Sequence, residues 1–266
     1  MALDDSELAR LEHENLIAGE ELLASLTQSS LIERFDGVAL LAAGLPVPFF
    51  NQVIVERDDA TPEGVSTAVE TLRGRGLPFI VNLRMGKDDR FIAAATGLGL
   101  VPISDGPSTP GMTLYPIPSD SGQDLPGYQI RRVTDSQTLE DHKRALTAGF
   151  QMPAEWADEL MTLKLLERPD CTFYTGYANG QPVTTGAGIR TGRTIGVYNI
   201  STADEARRHG YGEAMTHHIA AAAAPQGCDV AALQSSQMGF AIYERLGYRV
   251  VVEYKAYVDP MGATTE

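Results

Sequence analysis

Arg207-Arg208-His209-Gly210-Tyr211-Gly212-Glu213-Ala214 is the stretch on which the fold of this chain turns. It sets two arginines and a histidine ahead of two glycines, in a protein of formal net charge -14. A strand-like run ends at Thr202, and an alanine-rich, helix-like run follows the glycines and stops at Pro225. The first N–H groups of a helix have no internal partner and point outward. With the helix dipole they make a site for phosphate. Glycines let an anion approach the backbone closely, and Arg207 and Arg208 add positive charge at the rim. Two other phosphate motifs are excluded. The third glycine of a dinucleotide fingerprint would fall on Met215, and the Gly-Lys-Ser/Thr of a P-loop is absent.

Around this stretch the second half alternates strands and helices. Strands are predicted over 128–133, 171–177, 183–189, 193–202, 228–234 and 248–258, and helices from Thr134 or Asp135 to about 150, over 153–169, 208–224 and 239–246. Asn179-Gly180 between two strand-like runs signals a hairpin. The order β-α-α-β-β-β-α-β-α-β predicts a mixed sheet with helices on its faces. Upstream, residues 116–127 (PIPSDSGQDLPG) have the composition of a linker.

The first half repeats the pattern at a shift of 148 residues. Phe49-Phe50-Asn51 falls on Val197-Tyr198-Asn199, Gly64 on Gly212, and Gly97-Leu98-Gly99 on Arg245-Leu246-Gly247. Where the second half has Arg207 to Gly212, the first has Asp59-Ala60-Thr61-Pro62-Glu63-Gly64. Its acids would repel a pyrophosphate, and Pro62 lacks the N–H that would contact one. Thr-Pro-Glu is an ordinary helix opening: cap, first position, acidic first turn.

The 266 residues suffice for two modest domains with full cores. The acidity argues against nucleic acid and against an anionic membrane face. It is uneven: 19 acids and 8 bases over residues 1–126, against 16 acids and 13 bases over 127–266. An acidic first half could draw a cationic substrate by long-range attraction. Cys171 and Cys228 sit in apolar strand-like runs and read as buried structural thiols, which suits a reducing cytoplasm. The N-terminal MALDDSELARLEHENL has neither the basic start nor the apolar core of a signal peptide. No apolar run reaches the roughly 18 residues of a membrane helix. His217-His218 and His13-Glu14 read as surface and packing residues, not as metal ligands.

Arg207-x-x-Gly210-x-Gly212 after a strand resembles the coenzyme A motif of the GNAT superfamily of acyl-CoA-dependent N-acyltransferases. Ser236-Gln237-Met238-Gly239-Phe240-Ala241-Ile242-Tyr243-Glu244-Arg245-Leu246-Gly247-Tyr248 resembles that family's later motif, which ends in Ile/Leu-Tyr-x-x-Leu-Gly-Phe/Tyr. The resemblance covers roughly 127–258. It implies an α/β (α+β) architecture of two tandem GNAT-like domains, each a mixed, mostly antiparallel sheet flanked by helices. Residues 1–118 would be a degenerate copy without the CoA motif, 119–126 a linker, and 127–266 the acyltransferase.

The same resemblance implies acetyl-CoA as cosubstrate, no metal, and a small-molecule primary amine as acceptor, in a cytoplasmic monomer or homodimer. A longer acyl donor, or a CoA-binding sensor without turnover, are the alternatives. The implied cofactor contacts are Ile200, Ser201 and Thr202 on a splayed strand, Arg207, Arg208, His209, Gly210, Tyr211, Gly212 and Glu213 in the loop, and Ser236. Tyr243 is the implied acid for the departing thiolate. Where some relatives carry a glutamate base, this chain has Ala231. Glu155, Asp158 and Glu159 lie on the helix that borders the acceptor site in the family, and Trp156 beside them suits either core or pocket.

Overall fold

The computed structural model describes residues 3–103, 108–120 and 122–260. Ser121 of the linker and the chain ends lie outside the described residues. In chain order the elements are α1 (Asp5–Ala24), β1 (Leu31–Phe35), β2 (Val38–Ala42), β3 (Asn51–Val55), α2 (Pro62–Gly74), β4 (Ile80–Arg84), α3 (Ile92–Gly97), β5 (Val101–Pro102) and β6 (Thr109–Leu114). There follow β7 (Tyr128–Arg132), α4 (Ser136–Phe150), α5 (Ala154–Leu160), α6 (Leu163–Leu166), β8 (Cys171–Ala178), β9 (Gln181–Thr191), β10 (Thr194–Thr202), α7 (Tyr211–Ala223), β11 (Val230–Gln234), α8 (Phe240–Arg245) and β12 (Arg249–Val258). The repeat is visible in the order β3-α2-β4-α3 against β10-α7-β11-α8.

Two compact units form, and they do not coincide with a cut at the linker. The long unit is Met1–Asn15 with Met112–Arg249, and the short unit is Leu16–Gly111 with Val250–Glu266. The physical reason is an exchange of closing strands. β12, which ends the second half of the sequence, pairs antiparallel with β4 from Tyr254↔Arg84 to Val258↔Ile80. β6, which ends the first half, lies beside β11.

In the short unit the strand order is β1-β2-β3-β4-β12, with β5 also on β12. β3 and β4 are parallel and the other pairs antiparallel. The continuous apolar run of β2 is buried on both faces, as such a run must be. Val38, Leu40 and Ala42 meet Val65, Val69 and Leu72 of α2, while Ala39 and Leu41 meet Leu16 and Ile17 of α1. Thr61 caps α2, its hydroxyl accepting from Gly64 N, with Pro62 in the first turn, as the sequence predicts.

In the long unit the order is β6-β11-β10-β9-β8-β7. β10 and β11 run parallel, and β7 to β10 pair antiparallel in turn. Asn179 and Gly180, both at positive φ, turn the β8–β9 hairpin. Met215, Ile219, Ala220 and Ala223 of α7 pack on Ile195, Val197, Ala231 and Leu233. Asp135 caps α4, its carboxylate accepting from Thr138 N at 2.8 Å.

Two helix boundaries differ from the sequence reading. The helix expected over 153–169 is two short ones, because Met161 and Thr162 are extended. The helix expected from 208 begins at Tyr211, because Arg208 and Gly210 both take positive φ.

On the buried face of α4, His142 bonds through Nδ1 to Thr175 Oγ1 at 3.1 Å, and its Nε2 has no partner. Burial lowers its pKa to about 4, against about 6.5 for the unfolded chain. Between these values the unfolded chain takes up a proton that the folded chain refuses. Stability contributed by neutral His142 is therefore complete above about pH 6.5 and falls by about 3 kcal/mol on the way to pH 4. We expect urea midpoints to show this slope and His142→Phe to flatten it. An equal slope in the variant would place the acid sensitivity elsewhere.

Candidate active site

β10 and β11 are hydrogen-bonded only at Thr194↔Val230, Ile195↔Ala231 and Gly196↔Ala232. Beyond Gly196 they part, although β10 runs on to Thr202 and β11 to Gln234. β10 also slips register against β9 between Tyr198 and Ser201, with Asn199 at φ 53. Such a bulge leaves ladder groups unpaired and bends the strand. The result is a gap between two parallel strands, edged by backbone of residues 197–202. In the short unit β3 and β4 remain paired at Gln52↔Ile80, Val53↔Val81 and Ile54↔Asn82, close to the end of β3.

The glycine stretch closes one end of this gap. After Thr202 a single turn at Asp204–Ala206 leads into the loop. Gly210, at φ 81, ends it as the cap of α7, and a side chain there would be strained. No side chain caps the helix, so the N–H groups of Tyr211, Gly212 and Glu213 have no helical acceptor. A Cβ on Gly212 would meet Thr202 Oγ1 and Ile200 Cγ2 only at ordinary contact distances of 3.6 and 3.7 Å. The protein's own packing does not demand glycine there.

Apart from Arg208, the polar side chains of the loop are engaged in holding it. Arg207 donates to Thr202 O at 3.2 Å and to Gly149 O at 3.4 Å, and pairs with Asp204 at 2.7 Å. Its guanidinium pins the loop to β10 and α4 more than it offers a free charge. Arg208 is exposed and enters no ion pair among the described residues. His209 donates from Nδ1 to Arg207 O at 2.9 Å and stacks on Tyr211, which stacks on Tyr128 at 4.3 Å. Glu213 pairs with Arg245 at 2.7 Å and ties α7 to α8. Ile200 joins the core under α7, and the buried Ser201 hydroxyl lies 2.7 Å from Thr185 Oγ1. Ser236 Oγ accepts from Gly239 N at 3.1 Å and fixes the turn into α8.

Tyr243 lies on α8, its ring against Gly239 and 6.0 Å from the Tyr248 ring. Burial raises its pKa above the ordinary phenol value, so it stays protonated near neutrality. The Tyr248 hydroxyl is buried without a partner.

Ala231 is buried in the α7 cluster. Glu155, Asp158 and Glu159 are exposed on α5, with Asp158 paired to Lys143 at 2.9 Å. Trp156 is half-buried. His218 packs edge-on against Tyr174, and His217 lies 3.4 Å from Asp120. Burial raises both thiol pKa values, to about 11 for Cys171, which disfavours a reactive thiolate. Among the described residues no three His, Cys, Asp or Glu side chains could hold a metal, and no helix is long and apolar enough to cross a membrane.

Three residues went unread in the sequence. Glu12 and Asn15 are fully buried on α1, and Gln234 ends β11. The signal was present. Leu8, Leu11, Glu12, Asn15 and Leu16 follow one helical stripe, and two of the five are polar.

Residues 169–250 match the family model of the acetyltransferase (GNAT) domain. No curated protein matches the chain. Among solved structures, a GCN5-related N-acetyltransferase from Kribbella flavida superposes with a TM-score of 0.69 at 18% identity, covering 92% of this chain and 95% of that one. A GCN5-related N-acetyltransferase from Sphaerobacter thermophilus gives 0.64 at 15% identity, over 84% and 76%. A tandem GNAT protein from the clavulanic acid biosynthesis pathway gives 0.61 at 13%, over 86% and 79%. At these identities the likeness is one of fold. The family match over residues 169–250 is to an acetyltransferase domain, and these solved structures share the fold around it. Residues 169–250 thus resemble a GNAT acetyltransferase domain, within a fold shared with a tandem GNAT protein.

Proposed function

We propose that the long unit transfers an acetyl group from acetyl-CoA to the primary amine of a small molecule. The observation that carries this is the gap between β10 and β11, ending at an uncapped glycine-rich helix start. Free N–H groups of Tyr211, Gly212 and Glu213 suit a pyrophosphate. Backbone of Ile200, Ser201 and Thr202 beside the bulge suits an extended amide-bearing arm, and the exposed Arg208 suits a phosphate at the rim. Acetyl-CoA when bound supplies the acyl group as a thioester. The amine, as its neutral form, forms the new bond to the acyl carbon while the carbon–sulfur bond breaks. Tyr243 gives its proton to the departing sulfur, and the surplus proton on nitrogen leaves through water to restore the phenol.

The short unit lacks each of these parts. Its strands stay paired, Thr61 and Pro62 close the start of α2, and the position matching Tyr243 is the buried Ala95. We assign it a structural role.

Calorimetric titration with acetyl-CoA, then free-thiol release with polyamines, amino acids and aminoglycosides, tests the reading. Saturable binding and release with at least one amine are expected. Binding without release from any of them would make the protein a sensor, and no binding at millimolar cofactor would end the proposal.

A further inference from the structure

The last β10–β11 pair is Gly196↔Ala232. Two positions further, Tyr198 and Gln234 would stand opposite each other, at the start of the gap. The two-residue period of a strand sets them on the same face. Val197 and Leu233 belong to the α7 cluster, so Tyr198 and Gln234 are on the opposite face.

There both are held by α1. The Tyr198 hydroxyl donates to the Asn15 carboxamide oxygen at 2.8 Å, and Asn15 Nδ2 donates to Ile189 O at 2.9 Å and Thr191 Oγ1 at 2.8 Å. One helical turn earlier, Glu12 accepts from Gln234 Nε2 at 2.7 Å. Glu12 and Asn15 are both fully buried. The close approach requires Gly196, where a Cβ would collide with the Asn15 carboxamide and the Tyr198 ring.

Glu12 decides which way the Gln234 amide faces. Gln234 donates from its NH₂ to Glu12, which turns the other end of the amide, a pure acceptor, away from α1. Its carbonyl oxygen is then the end left for another partner, and Gln234 is only half-buried. An N–H donor at the mouth of the gap is what an attacking amine provides. Resting on the acetyl-transfer reading above, we propose that Gln234 binds the acceptor amine through its carboxamide oxygen, and that Glu12 is the positioning residue that fixes this orientation.

The test uses the full chain with acetyl-CoA and spermidine, lysine or kanamycin, whichever turns over. Gln234→Met keeps the volume and removes the acceptor. It is expected to raise KM for the amine about tenfold, equivalent to about 1.4 kcal/mol, with KM for acetyl-CoA unchanged. Glu12→Gln is expected to raise KM for the amine less, and to add nothing in the Glu12→Gln/Gln234→Met double variant, because the two act as one unit. An unchanged amine KM in Gln234→Met, an equal rise for both substrates, or additive effects in the double variant would overturn the assignment. Should Gln234→Met lose its cooperative unfolding transition, Gln234→Asn, which withdraws the amide by one methylene, carries the same comparison. A wild-type chain that binds no acetyl-CoA defeats the acetyl-transfer reading itself, and this inference with it.

Discussion

Tyr243→Phe is expected to lower turnover by about 10² to 10⁴, the usual worth of general-acid help, while acetyl-CoA affinity stays near wild type. The substitution removes one oxygen and keeps the ring that packs with Tyr248 and the α7 cluster. The backbone groups proposed to hold the cosubstrate lie on β10 and at the start of α7, so binding is spared. Burial raises the phenol pKa and keeps it protonated near neutrality, the state from which the proposed acid must start. Steady-state kinetics paired with calorimetry separates the two effects. Unchanged turnover in the variant would remove Tyr243 from the mechanism, and a parallel loss of affinity would make it a packing residue.

Ending the chain after Arg249 is expected to unfold the short unit and leave acetyl-CoA binding in place. The deletion removes β12 from beside β4, together with Tyr254 and Tyr257, both almost fully buried in short-unit clusters. Each large side chain contributes about 1.5 to 3 kcal/mol by burial, before the lost ladder is counted. A domain of this size has about 5 to 15 kcal/mol in all. The long unit keeps β6 beside β11, and it keeps the whole of the glycine loop and α8. Limited proteolysis should therefore digest residues 16–111 first, and titration should still show the cosubstrate. A truncated chain with two protected units would refute the exchange of strands as a source of stability, and loss of binding would show that the long unit depends on β12.

Much of this architecture was legible in the chain. Asn179-Gly180 between apolar runs specified a hairpin, and positive φ at both residues is the reason those two types are needed. Thr61-Pro62-Glu63 specified a helix start, and the same three residues leave no open N-terminus for an anion. Gly210 and Gly212 announced a loop that the backbone of α7 completes. Such signals act over a few residues, through sterics and hydrogen bonds, and need no knowledge of the rest of the molecule.

Contacts far apart in sequence were not legible. Arg207 looked like a free cation, but Gly149 and Asp204 hold it. Position 231 could be located, but nothing in its neighbours showed that it faces the α7 cluster. The sequence alone determined most strands and helices of the second half, and that the first-half helix start is capped by Thr61 and Pro62, because these follow from local periodicity and backbone chemistry. Only the tertiary structure decided that β12 completes the short unit, that β10 and β11 part after Gly196, and that Glu12 and Asn15 of α1 stand at that parting. Strand neighbours and buried polar pairs are chosen by competition among all surfaces of the folded chain, which no short stretch encodes.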